Sequence, residues 1–223
     1  MANMKQVPGK PGQFKVTTAE GAKIVKLVEW REDYIYDTIE MVATIGAAAA
    51  NEWMFFVSTS GPAGAPKTKA DTNLRTPRRL SSGQEMILNQ IGVTPLHNRI
   101  NSVEISNIDF AWVLERLSYK FEINQIPMAE GPVGFFPPGW GGTGVATIGG
   151  AVGFMTNGVA SPAAVPRLLV PQNIYAENDI SGTLTHSNVA WTTTAYVAPT
   201  IPAGGLLVRN SLRGYIKTAV GKG

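Results

Sequence analysis

Short runs in which apolar and polar residues alternate recur along the chain, with glycine, proline and serine between them. In SYKFEIN (118–124), Tyr119, Phe121 and Ile123 fall on one side and Lys120, Glu122 and Asn124 on the other. In DYIYDTIEMV (33–42), Ile35, Ile39 and Met41 share a side with Asp37, opposite Tyr34, Tyr36, Thr38 and Glu40. In LRGYIKTAV (212–220), Leu212, Gly214 and Ile216 oppose Arg213, Tyr215 and Lys217. QEMILNQIGV (84–93) follows the turn Ser81-Ser82-Gly83, and RLLVPQNIYA and DISGTLTH lie between 167 and 186. NEWMFFVST (51–59) is apolar on both parities, the pattern of a central strand.

One segment has a helical period instead. Ser106-Asn107-Ile108-Asp109 has the form of a capping box with Asp in the acidic position, and Phe110, Val113, Leu114 and Leu117 follow on one helical face. The pattern therefore predicts about eight strands, one short inserted helix and long Gly/Pro loops. Helices do not alternate with strands, which argues against a parallel α/β sheet. The expected fold class is all-β: an antiparallel two-sheet sandwich of jelly-roll type with one short inserted helix. Residues 1–13, polar and rich in Gly and Pro, read as a flexible N-terminal arm, and 14–223 as a single jelly-roll domain.

Composition sharpens this picture. Charged residues are 16% of the 223-residue chain, against about 25% in an ordinary soluble domain. Such a surface suits a protein covered by copies of itself or by partners. There is no cysteine, so disulfides, thiolate metal sites and cysteine nucleophiles are excluded. No secretory signal pattern and no run of 18 apolar residues is visible. The net charge is only +3 but unevenly spread. The stretch 67–79 holds Lys67, Lys69, Arg75, Arg78 and Arg79 against Asp71 alone, and no acid follows Asp179, while Arg209, Arg213 and Lys217 do. Lys67, Lys69, Arg75, Arg78, Arg79, Arg213 and Lys217 are the candidates to face nucleic acid or anionic lipid.

The stretch GWGGTG (139–144) has the spacing of a dinucleotide-binding turn. Such a turn needs a strand before it, a helix after it and an acid about 20 residues on. Here two prolines precede it, and the following segment carries Gly149, Gly150, Gly153 and Gly158, a density no helix survives. No Asp or Glu occurs from Gly131 to Ala176, where Arg167 is the only charge. No cofactor is expected. The segment reads as a long apolar loop that makes a contact between subunits or sheets, with Phe135, Phe136, Trp140, Gly141 and Gly142 at its centre: glycines permit close backbone approach and aromatic rings supply contact area. His97 and His186 have no carboxylate at ligand spacing and read as turn or surface residues, so no metal site is expected. G-x-S-x-G is absent, and Glu32-Asp33 reads as a solvated pair. No catalytic constellation is present, and the chain is not expected to be an enzyme. Trp30, Tyr34 and Tyr36 suit core or interface packing better than a sugar-binding face.

The run FFVSTSG followed by KTKADTNLRTPRRLSSGQEMILNQIGV resembles capsid proteins of tailless icosahedral bacterial viruses: an aromatic strand, a loop holding Asp71-Thr72-Asn73-Leu74, a Leu80-to-Gly83 turn, and a strand ending Ile-Gly-Val. The later order is also similar: a short helix, a Tyr/Phe strand, a Pro/Gly-rich loop, Asn157-Gly158, LLVPQNIYAENDISGTLT, and a last strand with Arg-Gly. The resemblance covers about 50–215 as a pattern. It implies a capsid subunit of the virion that self-assembles into an icosahedral shell, with copies of itself and other capsid proteins as partners. Contact with the viral genome or an internal membrane lipid through the basic segments stays open, and no small-molecule substrate is implied. The alternative is a carbohydrate- or receptor-binding sandwich of a virion spike or fibre.

Overall fold

The computed structural model describes residues 4–26, 29–41, 51–58, 66–96, 117–137, 143–148, 151–156, 167–186 and 206–217. The alternating runs become strands. In chain order these are β1 (Met4–Gln6), β2 (Gln13–Thr18), β3 (Gly21–Lys26), β4 (Trp30–Met41), β5 (Asn51–Phe55), β6 (Glu85–Leu96), β7 (Leu117–Ile123), β8 (Ile126–Pro132), β9 (Thr143–Ile148), β10 (Ala151–Thr156), β11 (Arg167–Tyr175), β12 (Ile180–His186) and β13 (Leu206–Lys217). One 3-10 turn, Val133–Phe135, follows β8. Among the described residues there is no α-helix. The expected helical segment lies at 106–116, outside them, and Leu117, counted as its last apolar position, opens β7 instead.

Two four-stranded sheets form the body, β11-β6-β13-β4 and β5-β12-β7-β8. Every pairing is antiparallel. Four of the pairings are nested along the chain: β7 with β8, then β6 with β11, β5 with β12 and β4 with β13. The eight strands therefore behave as one long ribbon doubled back on itself and folded into two layers. The parity read from sequence sets the inward rows. Leu212 lies opposite Ile35 on one side and Ile91 on the other, and Leu184 lies opposite Tyr119. These residues and Phe55, Phe121, Ile123, Ile174, Ile180, Val208 and Ile216 form one buried cluster shared by both sheets. Each such side chain contributes about 1.5–3 kcal/mol of burial.

Two positions inside the sandwich show how tightly the layers fit. Gly214 lies at the bulge where β13 shifts register against β6, and a Cβ there would overlap the Ile87 carbonyl oxygen. Gly182 of β12 faces Asn210 of β13, and a Cβ there would lie 2.7 Å from Asn210 Nδ2. Glycine at 182 leaves room for the buried Asn210 amide to donate to the Tyr119 hydroxyl across the layers. Burial drives the Tyr119 phenol far above its ordinary pKa, so it stays neutral.

Several expectations change. β5 is not central but an edge strand of the second sheet. Its two-sided apolar look has a local cause: Phe56 adopts φ 66°, so consecutive Phe55 and Phe56 both turn into the core. His186 is buried on β12 rather than on the surface; His97 is outside the described residues. Residues 4–13, read as part of an arm, supply β1 and the turn into β2. β1, β2 and β3 make a three-stranded sheet that covers part of the outer face of the first sheet, burying Val16, Val25, Trp30 and Ile87 with Tyr215 packed against them. Trp30 is thus covered by its own chain. Polar contacts fasten this flap. Ala19 N donates to Pro171 O at 3.0 Å, and Asn173 Nδ2 donates to Thr18 Oγ1 at 3.0 Å and Glu20 Oε2 at 2.9 Å. The Tyr175 hydroxyl donates to Glu20 at 2.5 Å, and Lys23 pairs with Glu85.

Candidate interaction surfaces

The uncharged segment leaves the sandwich at one flank. There β8 and β11 are the outer strands of the two sheets. After β8 the 3-10 turn carries the chain across to the first sheet, where Phe136 O accepts a hydrogen bond from Val93 N of β6 at 2.8 Å. This crossing separates the two phenylalanines. Phe136 is 6% exposed, packs edge-on to Tyr119 at 4.9 Å between ring centres, and belongs to the core. It is not available to a partner, which corrects its place in the contact set. Phe135 is 68% exposed. Trp140, Gly141 and Gly142 lie outside the described residues. Beyond them β9 and β10 form an antiparallel hairpin, Ile148 opposite Ala151, in a sheet of their own. The segment expected as a loop is therefore partly a hairpin, and GWGGTG runs into a strand where a phosphate turn would open a helix.

The far root of the segment adds residues the sequence did not single out. Between Arg167 and Gln172 the pairing of β11 with β6 slips. Leu168 packs on the core, so Leu169 points outward by ordinary alternation and is 96% exposed, and the bulge leaves Val170 exposed as well. Ile126 at the start of β8 is also exposed. Pro171 inside the run RLLVPQ was the one available signal, since proline within a strand marks an edge or a bulge. Phe135 at one root of the segment and Leu169 and Val170 at the other thus place apolar side chains on the β8/β11 flank, and Ile126 adds one at the far end of β8. Pro127 and Pro132 interrupt the open hydrogen-bonding edge of β8.

The opposite flank, where β4 meets β5, holds the basic loop. Asp37 of β4 is 1% exposed and accepts from Phe56 N at 2.7 Å; Lys67 Nζ lies 2.7 and 2.9 Å from its two oxygens with a side chain only 7% exposed. Lys67 therefore spends its charge inside the protein and presents none to a genome or a lipid. The Asp71–Leu74 stretch covers the edge of β4 by imitation of a strand. Asn73 Oδ1 accepts from Tyr36 N at 3.0 Å, its Nδ2 donates to Tyr34 O at 2.6 Å, and Thr72 Oγ1 donates to Tyr36 O at 3.0 Å. Arg78, at φ 61°, ties three parts together: its N donates to Phe56 O at 2.6 Å, its O accepts from Ile180 N at 2.8 Å, and its guanidinium lies 3.2 Å from Asp179.

The last two basic candidates stand on the outer face of the first sheet. Arg213 pairs with Glu32 and lies over the Tyr34 ring at 5.3 Å; Lys217 is 3.9 Å from Glu29. Arg209 lies over Tyr36 at 5.2 Å. Of the seven candidates, Lys67, Arg78, Arg213 and Lys217 answer an acid of their own chain. Lys69, Arg75 and Arg79 are exposed, and among the described residues none of the three has an ion pair. They stand together on the 66–84 loop. Beside this loop a groove of about 370 Å³ is floored by Ile35, Leu74, Leu80 and Ile216 and rimmed by Arg31, Tyr34 and Arg75.

Among the described residues no three His, Asp or Glu side chains converge as metal ligands. Comparison with protein-family models, with curated proteins and with solved structures gives no match to this chain.

Proposed function

We propose that the chain is a virion structural protein, a jelly-roll capsid subunit that self-assembles into an icosahedral shell without catalysis. The strand order supports the jelly-roll reading. Nested pairs β7/β8, β6/β11, β5/β12 and β4/β13 wrapped into two four-stranded sheets are what a ribbon rolled into two Greek keys produces. Fold alone does not carry a function.

The observation that carries this reading is the β8/β11 flank: exposed Phe135, Leu169 and Val170 at the roots of a segment free of acids, with exposed Ile126 at the far end of β8. A lone domain that left this flank in water would be prone to aggregate, whereas a shell subunit covers it with neighbours. Each contact is individually weak, and a closed assembly adds many of them.

Light scattering and electron microscopy of the purified chain test the proposal. Rings or shells should form with rising concentration, and Phe135→Asp with Leu169→Asp should leave a folded chain that no longer closes into shells. A wild-type chain that stays monomeric at high concentration, with no particle in micrographs, overturns the reading. The second reading, a carbohydrate- or receptor-binding module of a spike or fibre, is favoured by the groove beside Tyr34; glycan binding lost on Tyr34→Ala would select it.

A further inference from the structure

The outer face of the second sheet is not covered by any described element. Its parity places Glu52 and Met54 of β5, Ser181, Thr183 and Thr185 of β12, Ser118, Lys120 and Glu122 of β7, and Glu130 of β8 on that side. Three carboxylates therefore surround one ammonium. Lys120 lies 3.0 Å from Glu122, and it stands directly opposite Glu130 in the register. Its pKa is raised first by the hydrogen bond and charge of Glu122 and further by Glu130 and Glu52. From β5 to β8 this acidic face spans three strand spacings, about 14 Å. Met54, exposed at one end of the same row, supplies apolar contact area.

The same molecule carries the complementary charges elsewhere. Lys69, Arg75 and Arg79 are exposed and without ion pairs among the described residues, on the loop that borders the β4/β5 flank. The loop cannot fold back onto its own acidic face: the backbone of Arg78 is bonded to Phe56 O and Ile180 N, and Asn73 and Thr72 are bonded to Tyr34 and Tyr36 of β4. Three exposed cations against the one acid Asp71 on a fixed loop, and an excess of two anions on a sheet face, in one chain, make the charge pattern of a head-to-tail contact.

We infer that the 66–84 loop of one copy docks on the outer face of the second sheet of the next copy, with Lys69, Arg75 and Arg79 meeting Glu52, Glu122 and Glu130. The contact is heterologous, since the two surfaces differ, and repeated head to tail it generates a closed ring or an open array. It rests on the shell reading and adds to it the pair of faces that meet. The apolar β8/β11 flank then forms a separate contact.

A charge-swap experiment tests this. One variant carries Lys69→Glu and Arg79→Glu; the other carries Glu122→Lys and Glu130→Lys. Lys69, Arg79 and Glu130 are exposed and Glu122 is partly buried, and circular dichroism with thermal melting verifies folding. Like charges now face each other in each variant alone, so the concentration for half-assembly should rise at least about tenfold in both. Mixed one to one, the variants pair opposite charges wherever they alternate and should co-assemble well below the concentration that either needs alone. Wild-type assembly should also weaken as salt rises past 0.1 M, where screening acts within about 10 Å.

If both variants assemble alone as well as wild type, or if the mixture is not rescued, the inference fails while the shell reading stands. A wild-type chain that never assembles removes both. Loss of single-stranded nucleic-acid binding by the loop variant, with assembly unchanged, also overturns it and returns the loop to a genome-facing role.

Discussion

Replacing Lys67 by methionine separates a structural role for the basic loop from a nucleic-acid role. The side chain is 7% exposed, and its partner Asp37 is 1% exposed, with Nζ 2.7 Å from the nearer oxygen. Methionine keeps much of the length and removes the charge. Among the described residues Asp37 then retains one donor, the Phe56 amide, and a carboxylate left behind in the interior without its cation costs about 3–5 kcal/mol. For a domain of this size about 1 kcal/mol moves the melting temperature by roughly 2–4 °C, so Lys67→Met should melt about 6–20 °C below wild type. Urea unfolding should give a lower midpoint with an unchanged slope, since the surface exposed on unfolding is the same. The double variant Lys67→Met with Asp37→Leu removes the stranded charge and leaves only the Phe56 N–H unpaired, a loss of about 1–3 kcal/mol. It should therefore be more stable than the single variant. A single-variant loss below about 1 kcal/mol, the range of solvated pairs, would refute the buried pair and restore Lys67 to the set of outward-facing charges.

Gly214→Ala should destabilise by at least about 3 kcal/mol or prevent folding, because its Cβ would overlap the Ile87 carbonyl at the β13/β6 bulge; a melting temperature within 2 °C of wild type would disprove that register. The adjacent phenylalanines should separate cleanly: Phe136→Ala costs about 3–5 kcal/mol in denaturant unfolding, whereas Phe135→Ala changes stability by less than about 0.5 kcal/mol and weakens assembly measured by light scattering. The flap contact should be pH-sensitive at both ends. Hydrogen bonds from Tyr175 and Asn173 lower the Glu20 pKa, so its contribution is complete above the ordinary carboxylate range and is lost as pH falls through the lowered value. The Tyr175 phenol, pushed up to about 12 mainly by its hydrogen bond to Glu20, contributes fully below its ordinary pKa near 10 and loses that contribution as pH rises to about 12. Glu20→Gln should flatten both limbs of a stability–pH curve, and unchanged limbs would show that the Glu20 hydrogen bonds do not hold the flap.

Strand identity was largely written in the residue pattern. The period of two in SYKFEIN, DYIYDTIEM and LRGYIK placed β7, β4 and β13 and told which side chains face inward, because a strand sends successive side chains to opposite faces whatever it pairs with. The antiparallel class also followed, from strands without intervening helices. The strands that escaped were those whose sequence carries a contrary local signal: β8 holds two prolines, β9 and β10 each hold a glycine and flank Gly149-Gly150, and β1–β3 lie in a polar, lysine-bearing stretch. Each is an edge strand or belongs to a small separate sheet, where pairing tolerates residues that a central strand excludes.

Surface roles were much less legible. Charge and aromaticity identify which groups can interact, and Phe135 and the loop of Lys69, Arg75 and Arg79 were visible on those grounds. Whether a group does face outward depends on neighbours far away in sequence. Lys67 is internal because Asp37 lies on the adjoining edge strand, 30 positions earlier. Phe136 is internal because its carbonyl meets Val93 of the other sheet. Val170, which alternation from Leu168 would turn inward, is exposed where β11 bulges against β6. Alternation along a strand is a property of consecutive residues, so the chain alone determined it; long-range register, bulges and the pairing of buried charges exist only once two distant segments touch, and the tertiary structure alone decided those.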